Sequence, residues 1–176
     1  MQRSIVFTFI CNDKPGIVDK LSSIIARNDG NWQESRMTKL AGKFTGIVQI
    51  GISETGLPSL KQELQQLAAN DFSLLFDDIT PETAPSPSQQ LRLSIVGLDR
   101  PGIVREVAQA LSEKNINVTK MHSVIESAPM TGEPLFKAEV EVEAPLAVDT
   151  DTLHERLDAI CSQLDIDISL SRNYRR

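Results

Sequence analysis

Asn12-Asp13-Lys14-Pro15-Gly16-Ile17-Val18 and Leu98-Asp99-Arg100-Pro101-Gly102-Ile103-Val104 share one grammar, and Pro15 and Pro101 lie 86 residues apart in a chain of 176. Two units of that length account for nearly the whole chain, so two modules are expected. In each copy an apolar run of strand composition stops, an acid-base-Pro-Gly turn follows, and a helical pattern begins. The Pro suits a first helical position, where its missing N–H costs nothing, and the Gly lets another group approach the backbone. Such an elbow leaves first-turn N–H groups available to a small anion. The same residues also make a tight strand-to-helix turn with no ligand at all.

Outward from the first elbow, Ser4 to Ile10 is β-branched and aromatic, while Ile17, Val18, Leu21, Ile24 and Ile25 recur at helical spacing. Asp29-Gly30-Asn31 ends that helix, and Trp32 to Leu40 and Phe44 to Ser53 form a hairpin around Gly42. Pro58 falls in the first turn of a second helix striped by Leu60, Leu64, Leu67 and Ala68, before a last strand from Phe72 to Ile79. The second half repeats the order. Leu91, Leu93 and Ile95 alternate with polar residues, and Ile103, Val104, Val107 and Leu111 form a helical stripe. Phe136, Ala138, Val140 and Val142 alternate with Lys137, Glu139, Glu141 and Glu143, which demands a sheet with one buried face and one acidic, open face. Asp149, Thr150 and Asp151 offer caps for a helix bearing Leu153, Leu157, Ile160 and Leu164, and Ile166, Ile168 and Leu170 close the unit.

Both halves therefore read βαββαβ. With right-handed crossovers this is an α+β fold: two tandem ferredoxin-like domains, each a four-stranded antiparallel sheet with two helices on one face. Pro81, Pro85 and Pro87 lie among Ser and Thr, so 80–89 reads as a Pro-rich linker between domains at 1–79 and 90–176. A domain this small buries only about 60–65% of its unfolded surface, so packing against another domain, and a homodimer, are expected.

A formal charge of −6 offers no long-range attraction for a polyanion or an acidic membrane, and Arg172-Asn173-Tyr174-Arg175-Arg176 reads as a solvated tail. Cys11 and Cys161 fall in different halves without paired spacing, which fits a reducing, cytoplasmic setting; no stretch reads as a signal peptide or membrane span. His122 and His154 are the only histidines, with no metal-ligand spacing, no nucleophile elbow and no phosphate loop. His122 is expected to pack or hydrogen-bond in a strand and His154 to lie on a helix surface. No enzyme activity, metal or cofactor is expected. The Ala128-Pro129-Met130-Thr131-Gly132-Glu133-Pro134 loop of the second hairpin has no counterpart in the first, and reads as a solvated turn or a recognition loop.

Asn31 and Asn117 each lie 16 residues after the Pro of their elbow, where helix gives way to strand. An Asn side chain both donates and accepts, so it can read an amino acid's ammonium and carboxylate; it also simply ends helices.

The paired elbows, the βαββαβ order and these asparagines resemble tandem ACT domains, the small-molecule-sensing modules of amino-acid metabolism. In serine-binding members of that family a pocket between adjoining domains is built from the turn after the first strand and an Asn opening the second. The resemblance thereby implies ligand-binding roles for Asp13, Gly16 and Asn31, and for Asp99, Gly102 and Asn117. Asp13 and Asp99 stand where those members carry Asn, and Cys11 and Gly97 or Leu98 replace a His; an anion there opposes an incoming carboxylate. Glu34-Ser35-Arg36-Met37 and Gly42-Lys43-Phe44 further resemble the tandem-ACT repressors of the glycine cleavage system. That implies an amino-acid-responsive, glycine-sensing negative regulator that works through a LysR-type transcriptional activator without touching DNA. The alternative is an allosteric small-molecule-sensing subunit of an amino-acid metabolic enzyme.

Overall fold

The computed structural model describes residues 2–68, 72–79 and 87–172. The chain divides into two compact units, Met1–Glu82 and Thr83–Arg176. The first contains β1 (Gln2–Asn12), α1 (Ile17–Arg27), β2 (Asn31–Leu40), β3 (Lys43–Ser53), α2 (Leu57–Ala68) and β4 (Phe72–Asp78). The second contains β5 (Ser88–Leu98), α3 (Ile103–Glu113), β6 (Asn117–Ser127), β7 (Pro134–Pro145), α4 (Thr150–Leu164) and β8 (Ile166–Arg172). The strand orders, β2-β3-β1-β4 and β6-β7-β5-β8, give two antiparallel ferredoxin-like sheets. Ser88 and Gln89, read from sequence as linker, pair with Pro145 and Ala144 in the β5–β7 ladder; the rest of that segment up to residue 86 lies outside the described residues.

Period-two burial sets the faces. Ile5, Phe7, Phe9 and Cys11 on β1 and Val48, Ile50 and Ile52 on β3 point to the helices, meeting Leu21, Ile24 and Ile25 of α1 and Leu60, Leu64 and Leu67 of α2. In the second unit Leu91, Leu93 and Ile95 and Val140, Val142 and Ala144 do the same against Val107, Leu111, Leu153, Leu157 and Ile160. An aromatic cluster marks the first core: the Phe9 ring lies 5.7 Å from Phe44 and 6.3 Å from Phe72, and Phe7 lies 5.9 Å from Phe76.

Helix ends follow the predicted chemistry. Asp149 caps α4, its carboxylate accepting from the N–H of Asp151 at 3.0 Å and of Thr152 at 3.4 Å. At the end of α1 Asp29 is left-handed (φ 56°) and the Gly30 N–H returns to the Ile25 carbonyl at 2.9 Å; Asn115 (φ 54°) and Ile116 repeat this after α3. No helix among the described residues is long and apolar enough to cross a membrane.

Candidate functional site

The elbows differ from the sequence reading in one respect: the helices start two residues later, at Ile17 and Ile103 rather than at the prolines. Pro15 and Pro101 precede the cap, and Gly16 (φ 89°) and Gly102 (φ 106°) are themselves the N-caps, in left-handed geometry that a residue with a Cβ adopts at a cost. The glycines are therefore required by backbone conformation. Nothing lies within 4 Å of a Cβ built on either, so no close neighbour demands their small size. Neither helix start has a side-chain cap. The acidic residue ties each elbow to the neighbouring hairpin, with Asp13 N–H donating to the Gly42 carbonyl at 2.9 Å and Asp99 N–H to the Pro134 carbonyl at 2.8 Å.

A cleft of about 280 Å³ opens beside the first elbow, lined by Asp13, Lys14, Gly16, Ile17, Val18, Asp19 and Phe44. The Asp13 carboxylate is ion-paired with Lys39 of β2, so the negative charge at the elbow is matched by a cation. This offsets the repulsion that the Asp-for-Asn departure implies. The second elbow is built differently, with Arg100 reaching Asp165 at 3.5 Å.

Asn31 and Asn117 are the first residues of β2 and β6, both exposed edge strands. Each is followed by a bulge, at Trp32/Glu34 and at Val118/Lys120, that re-aims the strand. Gln33 uses its displaced side chain to accept from Ser4 at 3.2 Å and from Gln49 at 3.1 Å.

The ladders separate the two halves of each candidate site. Asn31 pairs with Gly51, which pairs with Ser4, whereas the elbow begins after Asn12. Asn117 pairs with Glu143, which pairs with Gln90, whereas the second elbow begins after Leu98. Eight strand residues, roughly 26 Å, thus separate elbow from asparagine along each sheet. In the first unit Asp13 and Gly16 line a common cleft while Asn31 lies at the far end of the sheet; in the second unit Asn117 likewise lies at the opposite end of the sheet from the elbow that carries Asp99 and Gly102.

A second cleft, of about 620 Å³, lies between α1 and α2 and is lined by Gly16, Lys20, Arg27, Glu63 and neighbours. Asn28, the buried polar residue at the end of α1, donates to the Ile24 carbonyl at 2.9 Å and to Glu63 at 3.1 Å, and Arg27 pairs with Glu63 at 2.5 Å. Hydrogen bonds from Arg27 and then Asn28 hold the Glu63 carboxyl below its ordinary range. The sequence reading placed the helix end at Asp29-Gly30-Asn31 and missed Asn28, whose burial has no signature in local pattern.

His122 is exposed in β6 and packs into no core; His154 is exposed on α4, its Nδ1 2.7 Å from the Thr150 carbonyl. Cys11 is buried, and burial followed by the Asp13 charge pushes its thiol up; burial does the same to Cys161. Both thiols are thereby kept protonated and poorly nucleophilic. Among the described residues no three His, Cys, Asp or Glu side chains gather as metal ligands.

Residues 3–76 and residues 91–158 each match a family model described as ACT domain. The glycine cleavage system transcriptional repressor of Escherichia coli (strain K12) is 19% identical over 171 residues, covering 97% of this chain and 90% of that protein. A crystal structure of a protein of unknown function from Galdieria sulphuraria superposes with a TM-score of 0.86 at 24% identity, over 99% of this chain and all of that one. Another, provisionally assigned as a glycine cleavage system transcriptional repressor, gives 0.71 at 18% identity over 99% of both chains. These two structures establish a shared fold over both units.

Proposed function

Because the chain belongs to the ACT-domain family, with two such domains in tandem, we propose that it is an amino-acid-responsive regulator. In this reading glycine is the effector, the glycine cleavage system is repressed, and repression runs through a LysR-type DNA-binding partner. The observation that carries it is similarity to a repressor of that system across both ACT domains, covering 90% of the relative's length. A formal charge of −6 suits action through a protein rather than on DNA. Ligand binding is assigned to Asp13, Gly16 and Asn31, and to Asp99, Gly102 and Asn117. The elbow supplies backbone N–H groups to a carboxylate, and the asparagine of an adjoining domain reads the rest of the amino acid. The separation of roughly 26 Å within a unit requires that adjoining domain, and the homodimer is part of the proposal.

Calorimetry with glycine, serine and other small amino acids on the whole chain, repeated on Asn31→Ala and Asn117→Ala, tests the pocket. Binding to the wild type and its loss in at least one variant are expected; unchanged affinity in both removes the assignment. Capture of a LysR-type activator, with and without glycine, tests partner and effector together.

A further inference from the structure

Each sheet has a face turned away from its helices, and the two units furnish that face differently. In the first unit Val6, Thr8 and Ile10 of β1 lie beside Gln49, Ile47 and Thr45 of β3, and Leu75 of β4 lies beside Thr8. Their chain neighbours Phe7, Phe9, Val48 and Leu74 pack with the core, so by alternation this set points the other way. Ile10 is 45% exposed, Ile47 46% and Leu75 75%. The polar groups around these residues are bonded within the unit. The Thr45 hydroxyl donates to the Phe9 carbonyl at 2.7 Å, Gln49 to Gln33 at 3.1 Å and Lys43 to Asn12 at 2.6 Å, while Arg36 pairs with Glu34 at 2.9 Å on the edge strand. Groups already satisfied in this way lose little when water leaves the face.

The corresponding face of the second unit is charged. Arg92 and Lys120 both reach Glu141, at 3.3 and 3.5 Å, Lys137 pairs with Glu126 at 2.7 Å, and His122 stands opposite Glu139. With Glu143 and Asp167 added, five carboxylates on that face meet the three cations Arg92, Lys120 and Lys137, leaving two negative charges in excess. On the first face Glu34 and Asp77 are balanced by Arg36 and Lys43.

We propose that the open sheet face of the first unit is a self-association surface, packed against the same face of a second copy in a two-fold sandwich. A two-fold contact sets one patch against itself, which requires a patch without net charge. The first face meets that requirement, and two copies of the second face repel. Packing the first face on the second is also disfavoured, because it would bury Glu139 and Glu143 against isoleucines without new partners. The size is sufficient. With eleven residues in β1 and in β3 and four strands per sheet, the face measures about 36 Å by about 19 Å at its longest, so a pair covers on the order of 1,200–1,400 Å², within the range of stable interfaces. Sheets stacked face to face lie about 10 Å apart, a gap that the interleaved side chains of Val6, Ile10, Ile47 and Leu75 would fill. The contact rests on neither elbow and on no ligand.

The test uses the whole chain without added amino acid. Sedimentation equilibrium of the wild type should show a dimer, and Ile47→Glu should weaken it about a hundredfold or more with an unchanged circular dichroism spectrum. Val124→Glu, the same kind of change on the open face of the second unit, where Val124 is 39% exposed, should leave the dimer intact. Hydroxyl-radical labelling of the wild type gives a readout that needs no variant. Ile10, Ile47 and Leu75 should be labelled at low protein concentration and protected as the dimer forms, while Met130, 98% exposed, is labelled throughout. A wild type that stays monomeric, or a dimer that survives Ile47→Glu, overturns the proposal. So does labelling of the three residues that is independent of concentration: constant protection means that the chain covers this face itself, and constant labelling means that the dimer forms elsewhere.

Discussion

Glycines at 16 and at 97 are fixed by different physics, and substitution separates them. At Gly16 the cost of a side chain is the left-handed backbone alone, since the space around it is open. At Gly97 a Cβ would lie 2.4 Å from Cγ2, 2.7 Å from Cβ and 2.9 Å from Cα of Ile166, its partner on β8, so backbone as well as side chain must move. Gly16→Ala is expected to destabilise by about 1–2 kcal/mol. Gly97→Ala should cost about 1–3 kcal/mol through overpacking. A double-mutant cycle by urea titration with Ile166→Ala, which removes the nearest atom, Cγ2, distinguishes the two: relief of crowding should shrink the Gly97→Ala loss and leave the Gly16→Ala loss unchanged. The Pro-Gly pair was legible as an elbow, but which residue caps the helix was not. Both placements satisfy the same local preferences, and the φ of the glycine decides between them.

Helices α1 and α2 are joined by Arg27 and Glu63, and α3 and α4 by Glu113 and Arg156 at 3.7 Å, with the charges exchanged between units. The pairing has been kept while its polarity reversed, which points to attraction between helices rather than to a ligand that reads one sign. The Glu63 carboxyl, held low by Arg27 and Asn28, has a lower pKa folded than unfolded. Its contribution is therefore present above the unfolded value near 4.5 and is lost as pH falls through the folded one. Thermal melts should show Glu63→Gln below the wild type at neutral pH and a difference that shrinks to nothing in acid. A constant difference at all pH values would mean that the charge is not what matters. Asp149 follows the same sign, its carboxyl lowered by the Thr152 side chain and then by the backbone N–H groups of Asp151 and Thr152.

For the whole molecule, the decisive fact is that elbow and asparagine stand at opposite ends of each sheet. A pocket made from both needs two domains, and a pocket made across two chains couples ligand binding to assembly. Apparent affinity for glycine should then rise with protein concentration until the dimer is saturated, and glycine should tighten the dimer by the same factor. Calorimetry at two protein concentrations, one on each side of the dimer dissociation constant, checks this. Equal affinities at both would place the complete pocket within a single chain.

The sequence by itself determined two βαββαβ units, their elbows, the hairpin at Gly42 and the cap at Asp149, because these rest on short-range pattern: side-chain periods of 2 and 3.6, residues that tolerate left-handed geometry, and oxygen caps. The sixteen-residue spacing also placed both asparagines at the start of a strand. Only the tertiary structure decided where that start lies. A helix rises about 1.5 Å per residue and a strand about 3.3 Å, so eleven helical residues and two turns carry the chain back past eight strand residues, to the far end of the sheet. Coverage of an edge was equally beyond local pattern. The alternation of β2 and of β6 cannot show that Trp32 and Met37 meet a core while Val118, Met121 and Ile125 do not, because burial depends on which neighbours arrive from elsewhere in the chain.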